Sequence, residues 1–191
     1  VSFEFECCKV YAIKGRSGSG KTTLLSLISG LEKATSGDII FDGKNLKNIN
    51  LDYYRSHDVG IVFQSYNLLP YMTVSENIIL SMDASGVKID NKKKKALELM
   101  KCVGLKESYF DRKVLKISGG EQQRVAIARS LSYNPKMIIA DEPTGNLDSQ
   151  TEKEILDIFK GLALEGKCVI IVTHSADVCD AADVVYDLKN N

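Results

Sequence analysis

The chain has 191 residues, with 25 Lys and Arg balanced by 25 Asp and Glu; it therefore carries no net positive field of the kind that draws proteins to nucleic acid or acidic lipid. Its length fits one core with an insertion. Five scattered cysteines (Cys7, Cys8, Cys102, Cys168, Cys179) lack zinc-site or disulfide-framework spacing and read as reduced thiols in a cytosolic protein, while no apolar run nears the ~20 residues that cross a bilayer.

Val1 opens strand-like sequence, as in a chain cut from a longer one. Val10 to Ile13 is a short apolar run ending near Gly15, followed by Leu24, Leu27, Ile28 and Leu31 at helical spacing. Ile39 to Phe41 before Asp42-Gly43 predicts a strand entering a tight turn, and Val59 to Phe63 predicts another; together they fit a small antiparallel layer. From Thr73 to about Leu131 the signals are helical. They start with a capping box at Thr73-Val74-Ser75-Glu76 and continue through Ala96, Leu97, Met100 and Val103. Lys92 to Lys95 reads as a solvated helix face.

Alternation then returns: Met137 to Ala140 as a strand, Ser149 to Leu164 as a helix, then strands at Cys168 to Val172 and Val184 to Leu188. The expected fold class is α/β: a mainly parallel sheet, a small antiparallel layer and an inserted helical segment. In a single domain, residues 1–65 and 132–191 form the core and 66–131 the helical insert.

Gly15-Arg16-Ser17-Gly18-Ser19-Gly20-Lys21-Thr22 fits G-x-x-x-x-G-K-[ST] and lies between an expected strand and helix, as a phosphate loop requires. Glycines let the backbone wrap the phosphates, and N–H groups through Thr23 face the anion. Lys21 reaches the β and γ phosphates, and Thr22 is a Mg²⁺ ligand. These residues make the chain a binder of ATP with Mg²⁺.

Met137-Ile138-Ile139-Ala140-Asp141-Glu142 is a buried run that delivers two carboxylates to the sheet's carboxyl edge, where ligands of open α/β sheets bind. Asp141 is the candidate for the Mg²⁺ shell. Glu142 is the candidate base for the attacking water, a role typically contributing ~10² to 10⁴ in rate. The plainer reading is that the pair caps a loop before Pro143.

Ile117-Ser118-Gly119-Gly120-Glu121-Gln122-Gln123-Arg124 resembles the signature motif of ATP-binding cassette proteins. Other elements follow the family's order. Gln64 resembles the Q-loop glutamine, Asn146-Leu147-Asp148 the D-loop and His174 the switch histidine. Asp141 to Ser149 looks most like the ATPases of lipoprotein-releasing, macrolide-exporting, antimicrobial-peptide and cell-division transporters.

The resemblance implies an ATPase with P-loop architecture that works as a head-to-tail homodimer. Each ATP would be held by the phosphate loop of one subunit and by Ser118, Gly119, Gly120, Glu121 and Asp148 of the other. It also implies that Gln64 contacts Mg²⁺ and the attacking water, and that His174 contacts the γ-phosphate. A separate integral membrane permease would hold the chain at the inner face of the cell membrane, docking near Tyr66, Asn67, Leu68, Leu69, Pro70 and Met72; ordinary packing is the alternative for these residues. No nucleic acid partner is expected. The competing class, a soluble cassette acting on ribosomes or DNA, usually carries tandem cassettes or long coiled-coil insertions, which this sequence lacks.

Two departures stand out. Relatives usually have glutamine where this chain has Glu121, which places a carboxylate near the expected phosphate unless it turns back to cap Ser118. The family's adenine-stacking aromatic lies farther upstream, so Phe3, Phe5 and Tyr11 are assigned to packing. Cys7-Cys8-Lys9 stands where relatives have a glycine-containing turn.

Overall fold

The computed structural model describes residues 1–16 and 18–188. In chain order they form β1 (Lys9–Lys14), α1 (Lys21–Ile28), β2 (Ile40–Phe41), β3 (Lys44–Asn45), α2 (Leu51–His57), β4 (Val59–Val62), α3 (Val74–Ser85), α4 (Lys92–Cys102), α5 (Gly119–Ser130), β5 (Met137–Asp141), α6 (Ser149–Leu164), β6 (Cys168–Thr173), α7 (Ala176–Ala181) and β7 (Val184–Asp187).

A five-stranded sheet has the order β4-β5-β6-β1-β7, and every pairing in it is parallel. A parallel sheet covered on both faces needs strands that are apolar throughout rather than alternating. In β6 all six residues are buried, and in β5 the first four are. The side-chain period of two then sorts these residues onto two cores. Tyr11, Ile13, Ile139, Ile170 and Val172 meet Leu25, Ile28 and Tyr54 on one face. Val10, Ile138, Ala140, Val169 and Ile171 meet Phe159 of α6 and the apolar sides of α3, α4 and α5 on the other. Each fully buried Ile or Phe contributes ~1.5–3 kcal/mol.

Two details seat α1, which follows the glycine loop. Its end is fixed by Gly30 at φ 70°: Gly30 donates to the Leu27 carbonyl and Leu31 to that of Ser26, a Schellman closure. Tyr54, 1% exposed, donates its hydroxyl to the Ile28 carbonyl at 2.9 Å, a bond worth about 1 kcal/mol net.

The sequence reading differs from the structure in four places. Leu31 is not on the buried face of α1, because the helix closes at Gly30 and leaves Leu31 49% exposed; Leu25 is buried instead. The antiparallel layer is only the β2–β3 hairpin. Val59–Val62 belongs to the main sheet beside β5, because it is packed under α5: a Cβ added to Gly60 would lie 2.6 Å from the Ser130 carbonyl oxygen. The helices α2 and α7 were not expected; each spans under two turns and starts from a side-chain cap, at Asn50 and Ser175. Finally, β1 starts only at Lys9, after a turn in which Cys8 takes φ 64°, the conformation a glycine adopts most readily.

Candidate functional site

β1 and α1 hold the glycine loop between them. Gly20 caps α1 at φ 89°, and Gly18 has φ 78°. A Cβ on Gly15 would meet Ser19 Oγ at 2.4 Å and the Leu188 carbonyl at 2.9 Å. The loop thus curls so tightly that only hydrogen fits there. Lys21 Nζ donates to the carbonyls of Gly15 (2.8 Å) and Arg16 (3.1 Å), so the ammonium is folded back over the loop. Ser19 Oγ is buried with no hydrogen-bond partner among the described residues. Ser17 lies outside the described residues. Thr22 and Thr23 are exposed at the start of α1, where free N–H groups and the helix dipole favour an anion.

β5 and β6 deliver the acidic and imidazole groups side by side. Burial, then the neighbouring Glu142, push the Asp141 carboxyl above its ordinary value, while the Lys21 ammonium pulls it back. Glu142 has φ 45°, a left-handed conformation that costs a non-glycine residue of order 1–3 kcal/mol and collects at functional sites. Its side chain is 12% exposed. Oε2 accepts from Thr173 Oγ1 and the His174 backbone N–H, both at 3.3 Å, and Oε1 lies 2.7 Å from His174 Nδ1. With the carboxylate ionised, and so only accepting, this pair requires the tautomer that carries a proton on Nδ1.

Gln64 is exposed just after β4, and its Nε2 would lie 3.3 Å from a Cβ on Gly145, which follows the Glu142 turn. Asp148 caps α6, accepting from the backbone of Gln150 and Thr151 and from Thr151 Oγ1 at 2.7 Å. Ser118 and Glu121 form a capping box at the head of α5: Ser118 N–H donates to Glu121 Oε2 at 2.8 Å, and Glu121 N–H to Ser118 Oγ at 3.3 Å. Gly119 and Gly120 are its first two helical residues. A Cβ on Gly120 would meet Thr151 Cγ2 at 2.5 Å, and one on Gly119 would meet the Tyr66 hydroxyl at 3.2 Å. Packing within the chain thus leaves no room for a Cβ at Gly120 unless Thr151 shifts, and makes the fit at Gly119 tight. Phosphate-loop residues, Asp141, Glu142, His174 and Gln64 gather along one sheet edge, whereas Ser118 to Glu121 find their neighbours in Tyr66 and Thr151.

Sequence reasoning missed Thr173 and Arg129. Thr173 is the polar residue closing an apolar strand, the signal that exposed Asp141. Arg129 is a lone cation after Val125-Ala126-Ile127-Ala128, and its guanidinium donates to the carbonyls of Tyr66 (2.9 Å) and Asn67, holding two residues with φ 59° and 49°. Burial lowers its pKa.

The Glu121 carboxylate does turn back onto its own helix. Burial raises its pKa, but hydrogen bonds from the Ser118 backbone, Tyr109 and the Ser118 hydroxyl outweigh this and leave it below its ordinary value. Glutamine serves equally at this cap position, so Glu121→Gln removes charge and keeps the cap. If a second copy's ATP docks on this helix start, as the resemblance implies, losing the charge should tighten the pair by roughly 1.5- to 5-fold, the ~0.2–1 kcal/mol of one exposed charge pair. Sedimentation with ATP in low and high salt checks this, and unchanged association in low salt rules out a weakening role for the charge.

The comparisons with known proteins agree with this geometry. The family model described as "ABC transporter" matches residues 1–145. The uncharacterized ABC transporter ATP-binding protein YclH of Bacillus subtilis (strain 168) is 46% identical over 185 residues, covering 96% of this chain and 82% of that protein. The macrolide export ATP-binding/permease protein MacB of Syntrophobacter fumaroxidans is 44% identical over 94% of this chain, which spans 26% of that protein. The cassette MJ0796 of Methanocaldococcus jannaschii, solved as a dimer, superposes with a TM-score of 0.90 at 38% identity, covering all of this chain and 85% of that one. A second structure of it, a post-hydrolysis state bound to ADP and Pi, gives 0.87 at 37% identity over 97% of this chain and 84% of that one. The chain belongs to the ABC transporter family, as an ATP-binding and ATP-hydrolysing subunit.

Proposed function

We propose that this subunit closes head to tail with a second copy on binding Mg²⁺ and ATP, and that closure drives export or membrane remodelling through a separate permease. The observation that carries the reading is Glu142, fixed at the sheet edge by three contacts and paired with His174. An acceptor held this way, at the end of the strand that carries Asp141, is placed to orient water and take its proton. Lys21 and the N–H groups from Gly15 to Thr23 bind the phosphates. His174 lines the γ-phosphate, and Gln64 lines the metal and the attacking water. Ser118, Gly119, Gly120, Glu121 and Asp148 complete the partner's site, and residues 66–131 act as the helical segment that carries the signature.

The residues present fit Mg²⁺. Thr22, Asp141 and Gln64 offer hard oxygen donors, one carboxylate among them, as this ion prefers when phosphates supply further ligands. A carboxyl pushed up by burial also gains most from a cation beside it. When bound, the ion supplies charge neutralisation along the phosphates. Among the described residues no helix is long and apolar enough to cross a membrane; anchorage is assigned to the permease on the family resemblance.

The segment after β4 supports permease docking. Asn77, buried in α3, accepts from the Leu69 N–H and donates to the carbonyls of Leu69 and Thr73, pinning a loop that shows Leu69 (42% exposed) and Tyr71 (83%) to solvent. Leu68 instead packs against the core. We expect Leu69→Asp with Tyr71→Asp to abolish co-purification with an integral membrane partner, while thermal stability and ATP binding hold. Retained co-purification would place docking elsewhere.

A further inference from the structure

One carboxylate outside the expected constellation joins the two loops that carry Glu142 and His174. Glu152, in the first turn of α6, accepts at Oε1 from Thr144 Oγ1 (2.8 Å) and from Ser175 Oγ (3.0 Å). Thr144 is 4% exposed and stands two residues after Glu142. Ser175 stands next to His174, and its N–H donates to Thr173 Oγ1 (3.0 Å), which in turn donates to Glu142. Glu152 N–H donates to the Asp148 carbonyl, so the same residue is anchored to the segment that starts α6.

We propose that Glu152 is a positioning residue for ATP hydrolysis: it clamps the loop after β5 to the loop after β6 and so sets the Glu142–His174 geometry. This rests on the roles given above to Glu142 and His174. Beyond their strands these loops have few backbone bonds in common; Glu142 N–H to the Val172 carbonyl is the nearest. Glu142 also sits in a strained conformation, which persists only where its surroundings over-determine it. A shared carboxylate oxygen between the loops supplies that constraint, and displacement of a reacting group by ~1 Å costs about 10²-fold.

The test uses the full chain and steady-state hydrolysis of Mg-ATP, with thermal melts run in parallel. We expect Glu152→Ala to lower kcat by about 10-fold, as removal of outer supporting contacts does elsewhere, with KM for ATP within about twofold because the phosphate loop is untouched. Glu152→Gln keeps an oxygen that accepts both hydroxyls and should restore most of the rate. Thr144→Val should slow the wild-type chain but add nothing in the Glu152→Ala background, the mark of one coupled unit. Wild-type kcat in Glu152→Ala, equal loss in the Gln variant, additive loss with Thr144→Val, or a matching rise in KM would each overturn the inference. Glu142→Gln run alongside separates the two readings. If it turns over normally, the assignment of the base fails; if it is inactive while Glu152→Ala is not slowed, only the clamp fails.

Discussion

Glu142→Gln should stop turnover while leaving ATP bound. The amide keeps the shape of the carboxylate and still offers one oxygen to Thr173 and the His174 N–H, but it cannot take a proton. We expect hydrolysis to fall by ~10² to 10⁴-fold, the range for loss of a positioned general base. Affinity for ATP should be preserved, because the phosphates are held by the loop before α1. Binding without hydrolysis then removes the step that reopens the pair, and a nucleotide-filled dimer should accumulate in gel filtration with Mg-ATP. Turnover within threefold of wild type would take the base role away from Glu142, whereas a variant that binds ATP without hydrolysis yet stays monomeric would overturn the proposed head-to-tail pair.

Lys21→Ala acts at the other end of the reaction. Its ammonium is already directed by the Gly15 and Arg16 carbonyls, so little rotamer entropy is lost when phosphate arrives. A hydrogen bond involving a charged group is worth ~1.5–3 kcal/mol, which corresponds to about a 10- to 150-fold loss of ATP affinity in equilibrium titration. Hydrolysis should disappear with it. Lys21→Arg should not rescue binding, because a planar fork does not replace a compact charge in a loop too tight for a Cβ at Gly15. ATP affinity within threefold of wild type in the alanine variant would show that the backbone N–H groups alone hold the phosphates.

Features written in neighbouring residues are legible in the sequence itself. The boxes at Thr73/Glu76 and Ser118/Glu121 close within four residues, and the apolar runs of β5 and β6 announce buried parallel strands. Legibility fails where partners lie far apart along the chain. Nothing near Gly120 says that Thr151 will stand against it, and nothing near Glu152 says that Ser175 will. Val59–Val62 is hard to place for a related reason: four apolar residues suit either sheet, and the choice is made by α5 lying over Gly60. Leu31 fits the helical period, but the glycine before it has already closed the helix.

The strand order has a consequence for synthesis. β1, which presents the glycine loop, pairs only with β6 and β7, elements made some 150 residues later. A ribosome emits the loop well before these sheet neighbours, and such long-range pairing is slow and exposes unpaired edges meanwhile. A nascent chain that stops before Cys168 holds the whole phosphate-binding sequence yet has no sheet neighbour to seat it. Nucleotide capture therefore reports that β6 and β7 have been made, and the cell's ATP can stabilise only copies whose synthesis has passed them.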